Sequence, residues 1–259
     1  MNTDKPTVEE AKKQIEEAIE ERLGPEKSAT LYRAIRERPF TTIFSKGLGK
    51  RRDENRPFEM AEIAAEAILE RLNDYSITEI RRERSYYIED HDRCARESDK
   101  LNSRGEKYRA RTWFYGRNFP GIGKIIDFET PLRAKDEDNE GEIDLLAYDT
   151  GKNPPVLTLL EYKTIENIYE SLLRCVLEIY TYSKQVYAKN LKKHFHTSPF
   201  NVDENSTVKA AVFVHKDSVP YEHFHKGKDT NIRKLMRKLG VGFISIDDLA
   251  NRKVTVEEV

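Results

Sequence analysis

Two short apolar segments joined by a turn constrain the fold of this chain more than any other feature. The first runs from Glu142 to Tyr148 and the second from Leu157 to Lys163, with glycine, asparagine and two prolines between them. Such turn residues between apolar runs predict two adjacent antiparallel strands. The midpoint between Asp144 and Glu161 falls inside the turn, so this pairing places the two carboxylates opposite each other.

Opposed residues of an antiparallel pair share a face of the sheet, with Cβ atoms roughly 4.5 to 5.5 Å apart, and two like charges there are unfavourable. Lys163 lies two residues after Glu161, and strand side chains alternate, so its ammonium is expected on the same face. Two carboxylates and one ammonium at one place predict a site for a hard divalent cation and an activated water.

Asp144 followed by Glu161-x-Lys163 resembles the PD-(D/E)XK nuclease superfamily, which has an Asp on one core strand and Glu-x-Lys on the next. The resemblance extends over residues 124 to 216, and Ile143 stands where the name-giving motif has proline. It implies an α/β restriction-endonuclease-like core, in which a mixed central sheet is flanked by helices, preceded here by an N-terminal helical extension. The alternative is a half-exposed strand with alternating charges, since 35% of the residues are charged.

The resemblance also implies an activity and a cofactor. Asp144, Glu161 and the backbone carbonyl of Tyr162 are expected to bind Mg²⁺, with Mn²⁺ as a substitute, and Lys163 to position or deprotonate a water or to contact the phosphate. The expected reaction is hydrolysis of phosphodiester bonds in nucleic acid, DNA rather than RNA. The alternative is a catalytically inactive nuclease-fold module that binds nucleic acid or a partner protein.

The pattern of periodicities and turn signals predicts an N-terminal helical region over residues 1–75, including a helix over 57–72, and a nuclease-like core over 76–259. The expected core elements are strands 124–132, 140–149 and 156–164, a helix from about 168 to 189, strand 208–215, helix 231–239 and strand 241–246. A helix within 77–103 is expected before the first strand. The superfamily often places an extra glutamate there, for which the candidates are Glu79, Glu83, Glu89 and Glu97, with Glu129 on the first strand as an outside candidate.

The crossover helix carries a polar stripe in which side chains recur every fourth position, formed by Glu170, Arg174, Glu178 and Tyr182. A solvated stripe is the usual interpretation, but a helix packed beside the carboxylates would present it to the site. Glu178-x-x-x-Tyr182 resembles the Gln-x-x-x-Tyr element of RecB-type nucleases, with Glu in place of Gln. The resemblance implies that Arg174, Glu178 and Tyr182 orient Lys163 or hold a phosphate.

The net charge is −1, so any nucleic-acid surface must be local. Residues 104–124 and 226–238 are both strongly basic, and aromatic side chains interleave with the cations of the first segment at Tyr108, Trp113, Phe114 and Tyr115. Cations interleaved with aromatic side chains are typical of a nucleic-acid surface, where the cations neutralise phosphates and the rings stack on bases. The alternative is a solvated basic face whose aromatic side chains turn into the core.

The cysteines, the histidine pairs and the absence of long apolar runs bear on metal binding, partners and cellular compartment. Cys94 and Cys175 lack a Cys-x-x-Cys arrangement, which indicates packing residues. His194-Phe-His196 and His223-Phe-His225 form an alternative metal hypothesis, but they are expected on polar loops without a third ligand. No apolar run approaches a membrane span and no signal-peptide pattern begins the chain, so a cytoplasmic protein is expected, with nucleic acid as partner and a homodimer left open.

Overall fold

The computed structural model describes residues 56–70, 105–132, 141–165 and 170–259, together with positions 9, 13, 17, 72, 77, 79, 82, 84–89 and 91. Glu9, Lys13 and Glu17 are helical. The other positions of the helices predicted before residue 56 lie outside the described residues.

Within these residues, seven strands form one sheet whose spatial order follows the chain. The first four strands are antiparallel, the fourth, fifth and sixth are parallel, and the seventh is antiparallel to the sixth. The predicted α/β class with a mixed central sheet is therefore confirmed. The strands are β1 (Asn118–Phe119), β2 (Gly123–Pro131), β3 (Glu142–Asp149), β4 (Val156–Lys163), β5 (Thr207–His215), β6 (Val241–Asp248) and β7 (Lys253–Glu257).

Helices flank both faces of this sheet. Ser171 and Thr230 cap two of them, because each side-chain oxygen accepts a hydrogen bond from the backbone N–H three residues later. Gly240 ends the last helix with a φ of 69°, the left-handed conformation that glycine adopts without strain. The helices are α1 (Arg56–Glu70), α2 (Glu106–Arg109, continued by a π-helical turn over Ala110–Phe114), α3 (Leu172–Gln185), α4 (Ala188–His196), α5 (Val219–His225) and α6 (Asn231–Leu239).

The β3–β4 hairpin has the register that the turn residues predict. Leu145 lies opposite Leu160 and Asp149 lies opposite Val156. One further step along this register places Asp144 opposite Glu161. Helix α3 then carries the chain over the sheet so that β5 runs parallel to β4, because a parallel pair needs such a long crossover.

Two apolar clusters cover the two faces of the sheet. On one face Leu159 packs in a cluster with side chains of α1, α3 and α6, and on the other Leu160 packs with the π-helical turn. Helix α1 also supplies Glu62, whose carboxylate accepts the N–H groups of Asn231 (2.5 Å) and Ile232 (3.0 Å) at the start of α6. Helix α1 thus packs on the core, while the domain division at 75/76 stays a prediction.

Several predicted elements differ from the structure. The single helix from about 168 to 189 is wrong: α3 begins at Leu172 and ends at Gln185, because Val186 adopts extended geometry and the chain restarts as α4. At this break the Tyr187 N–H donates to the Tyr86 hydroxyl, 3.2 Å away. Of the range 77–103, where a helix was expected, positions 77, 79, 82 and 84–89 are not helical, His91 is helical, and the remaining positions lie outside the described residues. Elements β1, β7, α2, α4 and α5 were not predicted.

Candidate active site

Asp144, Glu161 and Lys163 converge at one place on the face of the sheet that α3 covers. Lys163 Nζ lies 2.6 Å from Glu161 Oε1 and 4.0 Å from Asp144 Oδ2. The backbone N–H of Tyr162, between the last two residues of the trio, donates to Asp144 Oδ2 at 2.9 Å. The hairpin register therefore brings together the three side chains that the sequence pattern selects.

The trio is buried unequally. The side chain of Glu161 is 2% exposed and that of Lys163 is 8% exposed, whereas Asp144 keeps 30% of its side-chain surface. β4 is buried from Leu157 onward, so its charged end continues an apolar strand into the interior. An ion pair in such a place stabilises poorly, because both charges lose hydration. The arrangement suits a functional site better than a surface strand.

A third acidic side chain, Glu106, reaches the same ammonium from α2. Glu106 Oε2 lies 3.6 Å from Lys163 Nζ, and the Thr164 N–H points to Glu106 Oε1 at 3.5 Å. Sequence reasoning missed this residue, since Glu106 looked like a lone acid in a basic segment. No local pattern marks Glu106, because its contact with Lys163 depends on how α2 packs against the end of β4.

The predicted upstream glutamates do not take this place. Glu79 and Glu89 are exposed and lie outside any helix. Glu83 and Glu97 lie outside the described residues. Glu129 adopts a φ of 48° and accepts two hydrogen bonds from Arg111, at 3.1 and 2.8 Å. Lys107 joins this group by bridging Glu129 and Glu142. Two cations of the first basic segment, Lys107 and Arg111, are therefore paired with carboxylates of the protein itself.

Part of the polar stripe on α3 faces the trio. Glu178 is buried, accepts a hydrogen bond from the Tyr182 hydroxyl at 3.1 Å, and acts electrostatically on Asp144, Glu161 and Lys163. Arg174 instead pairs with Glu170 at 3.0 Å, and Glu170 precedes the helix. The structure thus places Glu178 and Tyr182 beside the site, with Arg174 held one turn earlier.

Burial and mutual repulsion shift the protonation of these groups. Burial raises the pKa of Asp144 to about 7, with Lys163 opposing the shift and Glu178 adding to it. Burial and then Asp144 raise the pKa of Glu161 well above its usual range. Burial alone would lower the pKa of Lys163, but Glu161 and Asp144 outweigh it and raise that pKa. Lys163 therefore stays charged. Its single positive charge does not offset the burial and repulsion that raise the pKa values of Asp144 and Glu161.

Two buried oxygens at the site have no hydrogen-bond donor among the described residues: Glu161 Oε2 and Glu178 Oε2. Unsatisfied buried carboxylate oxygens are costly, and a hard cation with oxygen ligands matches their chemistry. Asp144, Glu161 and Glu106 therefore fit a divalent cation by donor type. In the parts of the chain that the structure describes, however, no three or more His, Cys, Asp or Glu side chains are already grouped to hold a metal.

The aromatic side chains of the first basic segment belong largely to the core. Phe114 is fully buried, and Trp113 and Tyr115 pack against the same cluster. Arg109 is buried and stacks on Trp113, 4.6 Å from the ring centroid. Of the two alternatives for this segment, the structure favours aromatic side chains turned into the core. In the second segment Arg233 is likewise buried, over the Phe224 ring.

The histidine pairs lie on α4 and α5, so their predicted placement on polar loops is wrong. His194 Nδ1 accepts the Tyr86 N–H, His196 Nδ1 pairs with the Val202 carbonyl, and burial lowers the pKa of His223 to about 4. These contacts are typical of structural histidines. Cys175 is a free, buried cysteine, as predicted for a packing residue, and Cys94 lies outside the described residues.

Comparison with known proteins gives no relative: no protein-family model, curated protein or solved structure matches the chain significantly. Among the described residues, no helix combines the length and the apolar character needed to cross a bilayer.

Proposed function

We propose that this protein is a divalent-metal-dependent nuclease of the PD-(D/E)XK type, which hydrolyses phosphodiester bonds of DNA. One observation carries the proposal. The ammonium of Lys163 lies 2.6 Å from Glu161 and 4.0 Å from Asp144, in a largely buried cluster at the end of β4. A half-exposed strand with alternating charges would leave these groups in solvent, where they would need no common arrangement.

The order of elements supports the same proposal. Antiparallel β2, β3 and β4 are followed by the α3 crossover and by β5 parallel to β4. This is the order expected of a restriction-endonuclease-like core, with Asp144 and Glu161 on its two adjacent antiparallel strands. Helix α2 precedes these strands and contributes Glu106. Fold similarity alone does not establish an activity, so the proposal depends on the site.

Asp144, Glu161 and the Tyr162 carbonyl would hold a Mg²⁺ ion, with Glu106 as a further carboxylate. The Tyr162 N–H points to Asp144, and in a strand the N–H and C=O of one residue face the same neighbour, so this carbonyl is expected on the Asp144 side. When bound, Mg²⁺ lowers the pKa of a bound water and neutralises charge on the phosphate. Mn²⁺ offers the same oxygen-preferring chemistry.

Lys163 has the charge and position to act on the phosphate. Glu161 and Asp144 raise its pKa against the effect of burial, so it carries a proton at neutral pH and contributes positive charge. This favours contact with a non-bridging phosphate oxygen over removal of a proton from water. Glu178, held by the Tyr182 hydroxyl, attracts the ammonium electrostatically and so helps to orient it.

A cleavage assay over labelled single- and double-stranded DNA and RNA tests the proposal. We expect cleavage that needs Mg²⁺ or Mn²⁺ and is lost in Asp144→Ala and Lys163→Ala, while substrate binding persists. Lys209→Ala, at an exposed lysine of β5, is the control that retains activity. Equal cleavage by wild type and both site variants would exclude the assignment. Binding without cleavage under every metal condition would instead favour a nuclease-fold binding module.

A further inference from the structure

Lys163 takes the place of a cation in the acidic cluster. Its ammonium contacts Glu161 Oε1 at 2.6 Å and lies within 4.0 Å of Asp144 and Glu106 carboxylate oxygens. Glu161 is the most deeply buried of these three carboxylates, and its second oxygen has no donor among the described residues. The acidic side chains are thus close together, and the ammonium occupies one Glu161 oxygen and the space between the three carboxylates where an ion shared by them would lie.

We propose that Lys163 and a divalent cation compete for Glu161, so that the ammonium must leave this carboxylate before the ion is bound there. The inference rests on the proposed function and adds an order of events to it. The location of the Lys163 ammonium then depends on whether the metal site is filled.

Size and charge both support this competition. A Mg²⁺ ion lies 2.0–2.1 Å from its oxygen ligands, so an ion bound between Glu161 and Asp144 would approach the ammonium, which lies near both carboxylates. Positive charges repel strongly at such a separation where water is scarce. The four-carbon stem of lysine is flexible, so Lys163 can move away from Glu161 without a change in the sheet.

The displaced ammonium also links metal binding to substrate binding. A phosphodiester offers an anionic partner that replaces Glu161. Substrate should therefore strengthen ion binding, and the ion should strengthen substrate binding by the same factor, because coupling of two binding sites is reciprocal. With methionine at position 163 there is no ammonium to transfer, and this part of the coupling should disappear.

Calorimetric titration of Mn²⁺ into chelator-stripped protein at mildly alkaline pH tests the competition. We expect Lys163→Met to bind Mn²⁺ at least roughly ten-fold more tightly than wild type, because a competing unit charge is gone. Lys163→Arg keeps the charge and should bind about as weakly as wild type. The metal-free Lys163→Met protein should melt at a lower temperature than wild type, and Mn²⁺ should raise its melting temperature by more than it raises that of wild type.

A phosphorothioate DNA oligonucleotide supplies a second readout. It should raise the Mn²⁺ affinity of wild type and have a smaller effect on Lys163→Met. If Lys163→Met does not fold without metal, the same titrations use Lys163→Gln.

The outcomes separate the two proposals. Mn²⁺ binding by wild type that Asp144→Asn abolishes, together with equal or weaker binding by Lys163→Met, overturns the competition and leaves the proposed function intact. No Mn²⁺ binding by wild type or any variant overturns the proposed function and the competition with it. Tighter binding by Lys163→Met but not by Lys163→Arg supports the competition.

Discussion

Replacement of Asp144 by asparagine should stabilise the metal-free protein near neutral pH. Burial and neighbouring carboxylates raise the Asp144 pKa from 3.8 to about 7, and such a difference corresponds to about 4 kcal/mol of destabilisation when the group is ionised. The side chain is 30% exposed, and water screens part of this effect, so we expect a gain of about 2–3 kcal/mol in Asp144→Asn. Asparagine also keeps an oxygen to accept the Tyr162 N–H.

The pH dependence follows from the direction of the shift. The folded protein binds the Asp144 proton more tightly than the unfolded chain, so this group makes stability fall as the pH rises from about 4 to about 7. Above that window the destabilisation by ionised Asp144 is complete. Below it Asp144 is protonated in both the folded and the unfolded protein, and the destabilisation vanishes. The advantage of Asp144→Asn should therefore be largest near about pH 8 and disappear towards about pH 4.

Urea unfolding in the presence of a chelator, followed by Trp113 fluorescence and circular dichroism at several pH values, measures this difference. Asp217→Asn, at an exposed aspartate, is the control and should leave stability nearly unchanged. If Asp144→Asn is no more stable than wild type at alkaline pH, or if its advantage does not shrink in acid, burial and the neighbouring carboxylates do not penalise the ionised Asp144 as the geometry indicates.

Three further changes test separate parts of the structure. Gly123→Ala should lose ~1–3 kcal/mol more than Gly116→Ala in urea unfolding, because both glycines have positive φ but a Cβ at 123 would lie 2.2 Å from a β3 carbonyl oxygen. Glu62→Ala should lower the free energy of unfolding by ~1 kcal/mol, because the N–H groups at the start of α6 lose their acceptor. The exposed Glu66→Ala is the control, and an effect of Glu62→Ala smaller than that of the control would contradict the capping role. Glu106→Gln should weaken Mn²⁺ binding in calorimetry, whereas unchanged affinity would remove Glu106 from the site.

The hairpin that carries the site was predictable because its signals are local. Leu157, Leu159 and Leu160 mark a buried strand, the glycine and prolines mark the turn, and together they set the register that places Asp144 opposite Glu161. Helix α6 was predicted with its observed bounds because Gly240 supplies a clear stop signal.

What the sequence did not reveal depends on tertiary packing. Glu106 reaches Lys163 only because α2 packs over the carboxyl end of β4, and no local pattern reports such a contact. The break between α3 and α4 has no glycine or proline, and it coincides with the hydrogen bond from Tyr187 to distant Tyr86. β7 was missed because its Lys253–Glu257 alternation is short and largely exposed, so it resembles a polar tail.

Anomalous diffraction from crystals soaked in Mn²⁺ shows where the protein places an oxygen-preferring cation, and so tests the assignment of Asp144 and Glu161 as its ligands. We expect an anomalous peak between the carboxylates of Asp144 and Glu161, with Lys163 Nζ moved away from Glu161, and no such peak in Asp144→Asn crystals. A fully occupied ion elsewhere, with the Lys163–Glu161 contact unchanged at 2.6 Å, would contradict it.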